Sequence, residues 1–143
     1  MSAEVRECGS GIGARLRLVL AAVLGPLLLG GCDPCGDEVV QHEPSPYGRG
    51  TAVVFVRDCG ATTAYATQVA VIGRTVATTR DRNVVFVADH DHGAAPSGPA
   101  GGPEVRVRWI DAGHLEVAHH PRARTFRKET EHGGIRLTYV ALP

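Results

Sequence analysis

Beyond residue 50, apolar residues return at every second position through most of the chain, and that two-residue period predicts strands. "TAVVFVRD" (51–58), "TQVAVIG" (67–73) and "NVVFVAD" (83–89) are rich in β-branched side chains, which suit a pleated, half-buried surface. In "EVRVRWI" (104–110), Val105, Val107 and Trp109 share one face, and Arg106 and Arg108 the other. "DAG" at 111–113 predicts a tight turn into "HLEVAHH" (114–120), closing a hairpin. A last pair is expected from "ARTFRKET" (123–130) and "GIRLTYVAL" (134–142), joined through Gly133 and Gly134, with Ile135, Leu137 and Tyr139 facing the core. "RTVATTRDR" (74–82) and the Gly- and Pro-rich "HGAAPSGPAGGP" (92–103) read as loops. About seven short strands between turn signals predict an all-β domain, either a small antiparallel sandwich or a curled sheet.

The front of the chain obeys a different pattern. "LVLAAVLGPLLL" (18–29) carries no charge, follows Arg15 and Arg17, and leads into "GGC" at 30–32. Those are the three regions of a secretory signal, whose apolar part is expected to be helical. A membrane-spanning helix needs about 20 apolar residues, and this run is shorter and interrupted by Gly25 and Pro26. Leu29, Gly30, Gly31 and Cys32 resemble the lipobox of bacterial lipoproteins, in which the signal is cut before the cysteine. The resemblance implies a signal peptide over 1–31 and a lipid, palmitate among its acyl chains, on Cys32. It places the protein on a bacterial membrane through that lipid, facing the periplasm or the cell exterior. Asp33 resembles a retention signal for the inner membrane. Residues 32–50, "CDPCGDEVVQHEPSPYGRG", are rich in Pro, Gly and acid and read as a lipidated tether ending in a turn at "SPYG"; 51–143 is then the β-domain.

Removal of the signal changes the charge and thiol counts. Twelve basic residues face thirteen acidic ones from Cys32 onward, and nothing in that balance calls for nucleic acid, whose binding needs a basic surface; no nucleic-acid partner is expected. Cys8 leaves with the signal and the lipid consumes Cys32, so Cys35 and Cys59 remain. In an oxidising envelope compartment two thiols in a small domain read as a disulfide. Closing a loop of about two dozen residues contributes about 3 kcal/mol on the chain-entropy model. Two alternatives stay open: a metal or redox role for Cys59, and a nucleophile activated by a histidine.

"SPYGRGTAVVFVRDCGATTAYATQVAV" (45–71) resembles a family of small bacterial envelope proteins carrying S-P-x-G, then A-V-V-F-x-R-x-C-G-A-T-T, then T-Q-V. The likeness runs on through "GGPEVRVRW" and the final strands. It implies an envelope lipoprotein with a cysteine at 59 and brings no reaction with it. The S-P-x-G turn before an apolar strand is also similar to one blade of a β-propeller, but a propeller needs repeats and none is seen.

Three clusters carry candidate chemistry. "ADHDHG" (88–93) alternates Asp89, His90, Asp91 and His92; on a strand end His90 and His92 project to one side, as two imidazole metal ligands require. His114, His119, His120 or His132 are available to complete such a site. "HHPRARTFRK" (119–128), with Arg106 and Arg108, supplies guanidinium groups suited to carboxylate, phosphate or anionic headgroups, or else a solvated face balanced by Glu104, Glu116, Glu129 and Glu131. Arg57, Asp58, Thr62 and Thr63 around Cys59 either line a polar pocket or satisfy local backbone groups. Serine hydrolase, P-loop and dinucleotide patterns are absent, and no cofactor is implied. The expectation is a lipid-anchored envelope protein acting as a non-catalytic binding or assembly module for an envelope protein partner; the alternative is a metal-binding protein or metal-dependent hydrolase using the Asp89 to His92 cluster.

Overall fold

The structure is a computed structural model that describes residues 35–73 and 81–143, all within the compact unit Cys32–Pro143. The apolar leader and Cys32 lie outside the described residues. Nine strands are present among them: β1 (Gly36–Pro44), β2 (Gly50–Asp58), β3 (Ala66–Gly73), β4 (Val84–Asp89), β5 (Val105–Asp111), β6 (His114–His119), β7 (Arg124–Lys128), β8 (Glu131–His132) and β9 (Ile135–Ala141). They form a five-stranded sheet in the order β1-β2-β3-β4-β7 and a four-stranded sheet in the order β5-β6-β9-β8. All neighbours are antiparallel except β6 and β9. The all-β class is as the alternation predicts.

One core joins the two sheets into a sandwich. Ala52, Val54, Val69, Val71, Val85, Phe86 and Ala88 of the larger sheet pack with Val105, Val107, Trp109, Leu115, Val117, Ile135 and Leu137 of the smaller one. The strict alternation of "EVRVRWI" appears as buried and exposed positions in turn along β5. In β2 to β4 the apolar runs are nearly continuous, because the opposite face of the larger sheet carries a second cluster of Val53, Phe55, Ala70 and Val84. Strands apolar on both faces read as runs rather than as alternation. The Arg57 guanidinium lies over the Phe55 ring at 5.7 Å.

Two segments depart from the sequence expectation. Residues 36–44, read as a tether, form β1, which pairs with β2 along its length and contains a bulge between Val39 and Gln41. Its charges and terminal Pro44 suit an edge strand, where one row of backbone groups needs no partner strand. The expected "SPYG" turn follows it, with Gly48 N–H donating to Ser45 C=O at 3.0 Å. The expected closing hairpin is divided between the sheets. β7 pairs with β4, β9 runs parallel to β6, and the Gly133–Gly134 turn closes only the two-residue β8 against β9. Glu129 N–H donates to Val85 C=O at 3.0 Å, so pairing with β4 continues past β7 until the chain crosses over.

Candidate functional site

Cys35 and Cys59 form a disulfide. It joins the start of β1 to the end of β2, where Gly36 already pairs with Asp58. Around it, Arg57 forms a two-pronged ion pair with Asp37, at 2.8 and 3.0 Å. The Asp58 carboxylate accepts from Gly60 N–H at 2.9 Å, and Thr63 Oγ1 donates to Gly60 C=O at 3.1 Å. These side chains satisfy backbone where the strand leaves the sheet.

The Asp89 to His92 cluster is dispersed by the end of β4. Asp89 is the last strand residue, and Asp91 and His92 take φ of 49° and 57°, so the extended backbone that would align His90 with His92 stops short. Asp89 is buried and paired with Arg124. Burial pushes its carboxyl up, but hydrogen bonds from Arg124 and from Asp91 N–H outweigh this and hold it below the usual carboxylate value. His90 Nε2 meets Gly101 C=O at 2.6 Å, pinning the loop that follows. Among the described residues, no three His, Cys, Asp or Glu side chains gather where they would hold a metal ion. Four arginines of the basic patch are likewise engaged separately: Arg106 with Glu104, Arg108 with Glu116, Arg124 with Asp89, and Arg127 with the Val84 carbonyl at 2.9 Å.

What the two-sheet packing brings together is a pair of lateral seams. On one side β1 meets β5. Trp109 Nε1–H donates to Glu43 C=O at 2.9 Å, and the Gln41 carboxamide makes two bonds to Val107, accepting from its N–H at 3.0 Å and donating to its C=O at 2.9 Å. Beyond Gln41 the seam opens into a cleft of about 550 Å³ whose walls include Val54, Val56, Thr67, Val105 and Val107. Its back is the loop before β5, held by Gly98 N–H to Gly102 C=O at 2.7 Å and by Thr67 Oγ1–H to Pro103 C=O at 2.6 Å. Gly102 lies so close to Thr67 and Val56 that a Cβ there would collide with Thr67 Oγ1. A second opening, between Gly36–Glu38 and the same loop, shares Val56, Pro99 and Ala100 with the first.

On the other side β7 meets β6 and β9. Tyr139 Oη–H donates to Glu129 C=O at 2.6 Å, and burial, with the Glu129 charge, pushes the phenol up to about 12. His119 packs between Phe86 and Tyr139, with ring centroids 5.1 and 6.3 Å away. Its Nδ1 lies 3.1 Å from His120 C=O and its Nε2 3.5 Å from Lys128 Nζ. The neutral tautomer with its N–H on Nδ1 and a bare Nε2 would satisfy both neighbours. Burial holds His119 below its ordinary value; the His120 bond opposes this, and the Lys128 charge adds to it. Lys128 Nζ also sits 4.7 Å from the Tyr139 ring centre.

Sequence reasoning placed Trp109 and Tyr139 inward but did not find the seams, because Gln41 lies on an unrecognised strand and the partners of Lys128 come from strands of the other sheet. The Val54, Val56 and Val107 walls were legible only as core. No protein-family model, no curated protein and no solved structure matches this chain.

Proposed function

We infer that this chain is a lipid-anchored protein of the bacterial envelope, held by acylated Cys32, whose β-sandwich serves as a non-catalytic binding or assembly module. The observation that carries the reading is the Cys35–Cys59 disulfide. It accounts for both cysteines left once a signal ending at Gly31 is removed and Cys32 is acylated, and disulfides persist in oxidising compartments. It also ties the sheet to the chain three residues beyond the lipid-bearing position. The non-catalytic part draws support from the engagement of Asp89, His90, Arg106, Arg108 and Arg124 in bonds within the fold.

Mass spectrometry of the protein purified from bacterial membranes tests the anchor. The expected species starts at residue 32, carries the added mass of a diacylglyceryl group and an amide-linked acyl chain, and contains no free thiol. Cys32→Ala is expected to leave the leader attached and the lipid absent. A soluble, unprocessed chain with a free thiol at residue 32 overturns the reading.

A further inference from the structure

We propose that the cleft between the β1 and β5 edges is a docking site for an extended peptide segment of a partner protein, which adds to the open stretch of the β5 edge as a strand. One small apolar side chain of that segment enters between the two sheets. This deepens the binding-module reading and rests on it, naming the partner's chemistry; it does not depend on the lipid at Cys32.

The direction of the β5 backbone groups follows from β6. Leu142 N–H donates to His119 C=O, so the main-chain groups of His119 turn toward β9. Val105 faces His119 across the β5–β6 ladder, and its own N–H and C=O therefore turn the other way, into the cleft. Two residues on, the equivalent pair at Val107 is taken by the Gln41 carboxamide. A primary amide has the donor and acceptor of a peptide unit, so Gln41 occupies one slot of this edge as a neighbouring strand would. At Val105 no described residue fills the corresponding slot.

The surroundings suit a peptide better than a hydrocarbon chain. Val54, Val56, Val105 and Val107 give the cleft apolar walls, and the loop at its back is fixed by the bonds from Thr67 and His90. An acyl chain would fill the walls but cover the N–H and C=O of Val105 without pairing them, an unfavourable burial of polar groups. An extended peptide pairs both and offers alternate side chains to the apolar space. The rim carries two ion pairs, Glu104–Arg106 and Glu116–Arg108, whose guanidinium side chains are 67% and 71% exposed. Each pair is neutral in sum, which matches an uncharged segment.

The test is a titration of the isotope-labelled full-length chain, in detergent micelles, with a blocked heptapeptide of alternating threonine and valine, followed by NMR. Saturable shifts are expected at the amides of Val105, Val107 and Gly102. The same peptide N-methylated at every amide is expected to bind about tenfold or more weakly, having lost its backbone donors. Val105→Pro removes the outward N–H while leaving the β5–β6 ladder bonds in place, at a first strand position where proline is tolerated; it is expected to weaken binding about tenfold. Val56→Phe, filling the cleft from the opposite sheet, is expected to abolish it. The absence of saturable shifts at millimolar peptide overturns the proposal, as does equal binding of the N-methylated peptide. Palmitate producing those shifts in place of the peptide overturns it in favour of a lipid. If the protein purified from bacterial membranes binds the peptide but proves unmodified at Cys32, the anchor alone is refuted, and a lipidated chain without peptide response refutes this site alone.

Discussion

The two seams of the sandwich use the same device with different chemistry. In each, an aromatic residue of the smaller sheet donates to a main-chain carbonyl of the larger sheet's margin: Trp109 to Glu43 on one side, Tyr139 to Glu129 on the other. Around that bond the β1–β5 seam adds a neutral carboxamide, Gln41, and then stays open along the cleft. The β7–β9 seam adds Lys128 and His119 and is filled by the rings of Phe86, His119 and Tyr139. A seam closed by neutral amides and an indole holds its strength across pH, whereas one closed by an ammonium and an imidazole responds to protons. The cleft thus lies in the seam that holds no buried imidazole.

The largest effect is expected from breaking the first seam at its aromatic residue. Trp109 is 8% exposed, and Trp109→Ala is expected to destabilise by about 3–5 kcal/mol, read as a fall in the urea midpoint. Tyr139→Phe, which removes only a hydrogen-bond donor, is expected to cost about 1 kcal/mol, and Trp109→Phe, which removes a donor and part of a buried ring, is expected to cost more; a larger loss at Tyr139→Phe than at Trp109→Phe would reverse the order of the two seams. Next in size is reduction of Cys35–Cys59. The lost cross-link is expected to remove about 3 kcal/mol on the chain-entropy model, and hydrogen exchange should quicken first in β1, with β7 and β9 still protected. Uniform loosening of both seams would break the comparison.

How much of this was legible in the sequence follows from where each residue sits. β2 to β6 and β9 announce themselves because a buried strand must present β-branched or alternating apolar residues, whereas β7 is exposed along its whole length. β1 does not, because an edge strand with exposed Val39 and Val40 and the bulge between Val39 and Gln41 buries little, so its composition looks like that of a tether. The Cys35–Cys59 pair follows from counting thiols once Cys32 is set aside. Crossing the final strands into different sheets was not readable, since local turn chemistry at Gly133–Gly134 is the same for β8–β9 as for a longer hairpin. The Asp89 to His92 pattern misleads for a related reason: alternation orients side chains only while the strand lasts, and Asp91 and His92 have already turned to positive φ. The roles of Gln41, Thr67 and Gly102 were not readable, because each acts through a long-range contact.

Acid separates the seams next. His119 is held below its ordinary value of 6.5, first by burial, so between that folded value and 6.5 the unfolded chain binds more protons. Stability from this site is full above about pH 6.5 and is lost as pH falls toward the folded value. Asp89, also lowered, from 3.8, contributes in a separate window: its share is present above about 3.8 and is lost as pH falls below it. Urea midpoints measured from pH 7.5 to 5 are expected to decline for the native chain and for Trp109→Phe alike. His119→Gln, which keeps a donor and an acceptor but does not titrate, is expected to flatten that decline. A slope unchanged in His119→Gln would remove the acid sensitivity from this seam.

The smallest expected effect is also the most specific. Lys128 does two things in the second seam: its ammonium faces the Tyr139 ring at 4.7 Å, and it opposes protonation of His119. Lys128→Met keeps the apolar stem and loses the charge. The ring contact, at a side chain exposed along its strand, contributes about 0.5 kcal/mol, so the urea midpoint should barely move. The His119 titration, followed by NMR of its ring protons, should nonetheless shift upward, because a like charge beside Nε2 is gone while the burial remains. Gln41→Leu, the matched change in the first seam, should leave that titration where it is. If both variants moved it equally, the imidazole would be answering to general loosening of the sandwich, and the division between a proton-blind seam and a proton-sensitive one would fail.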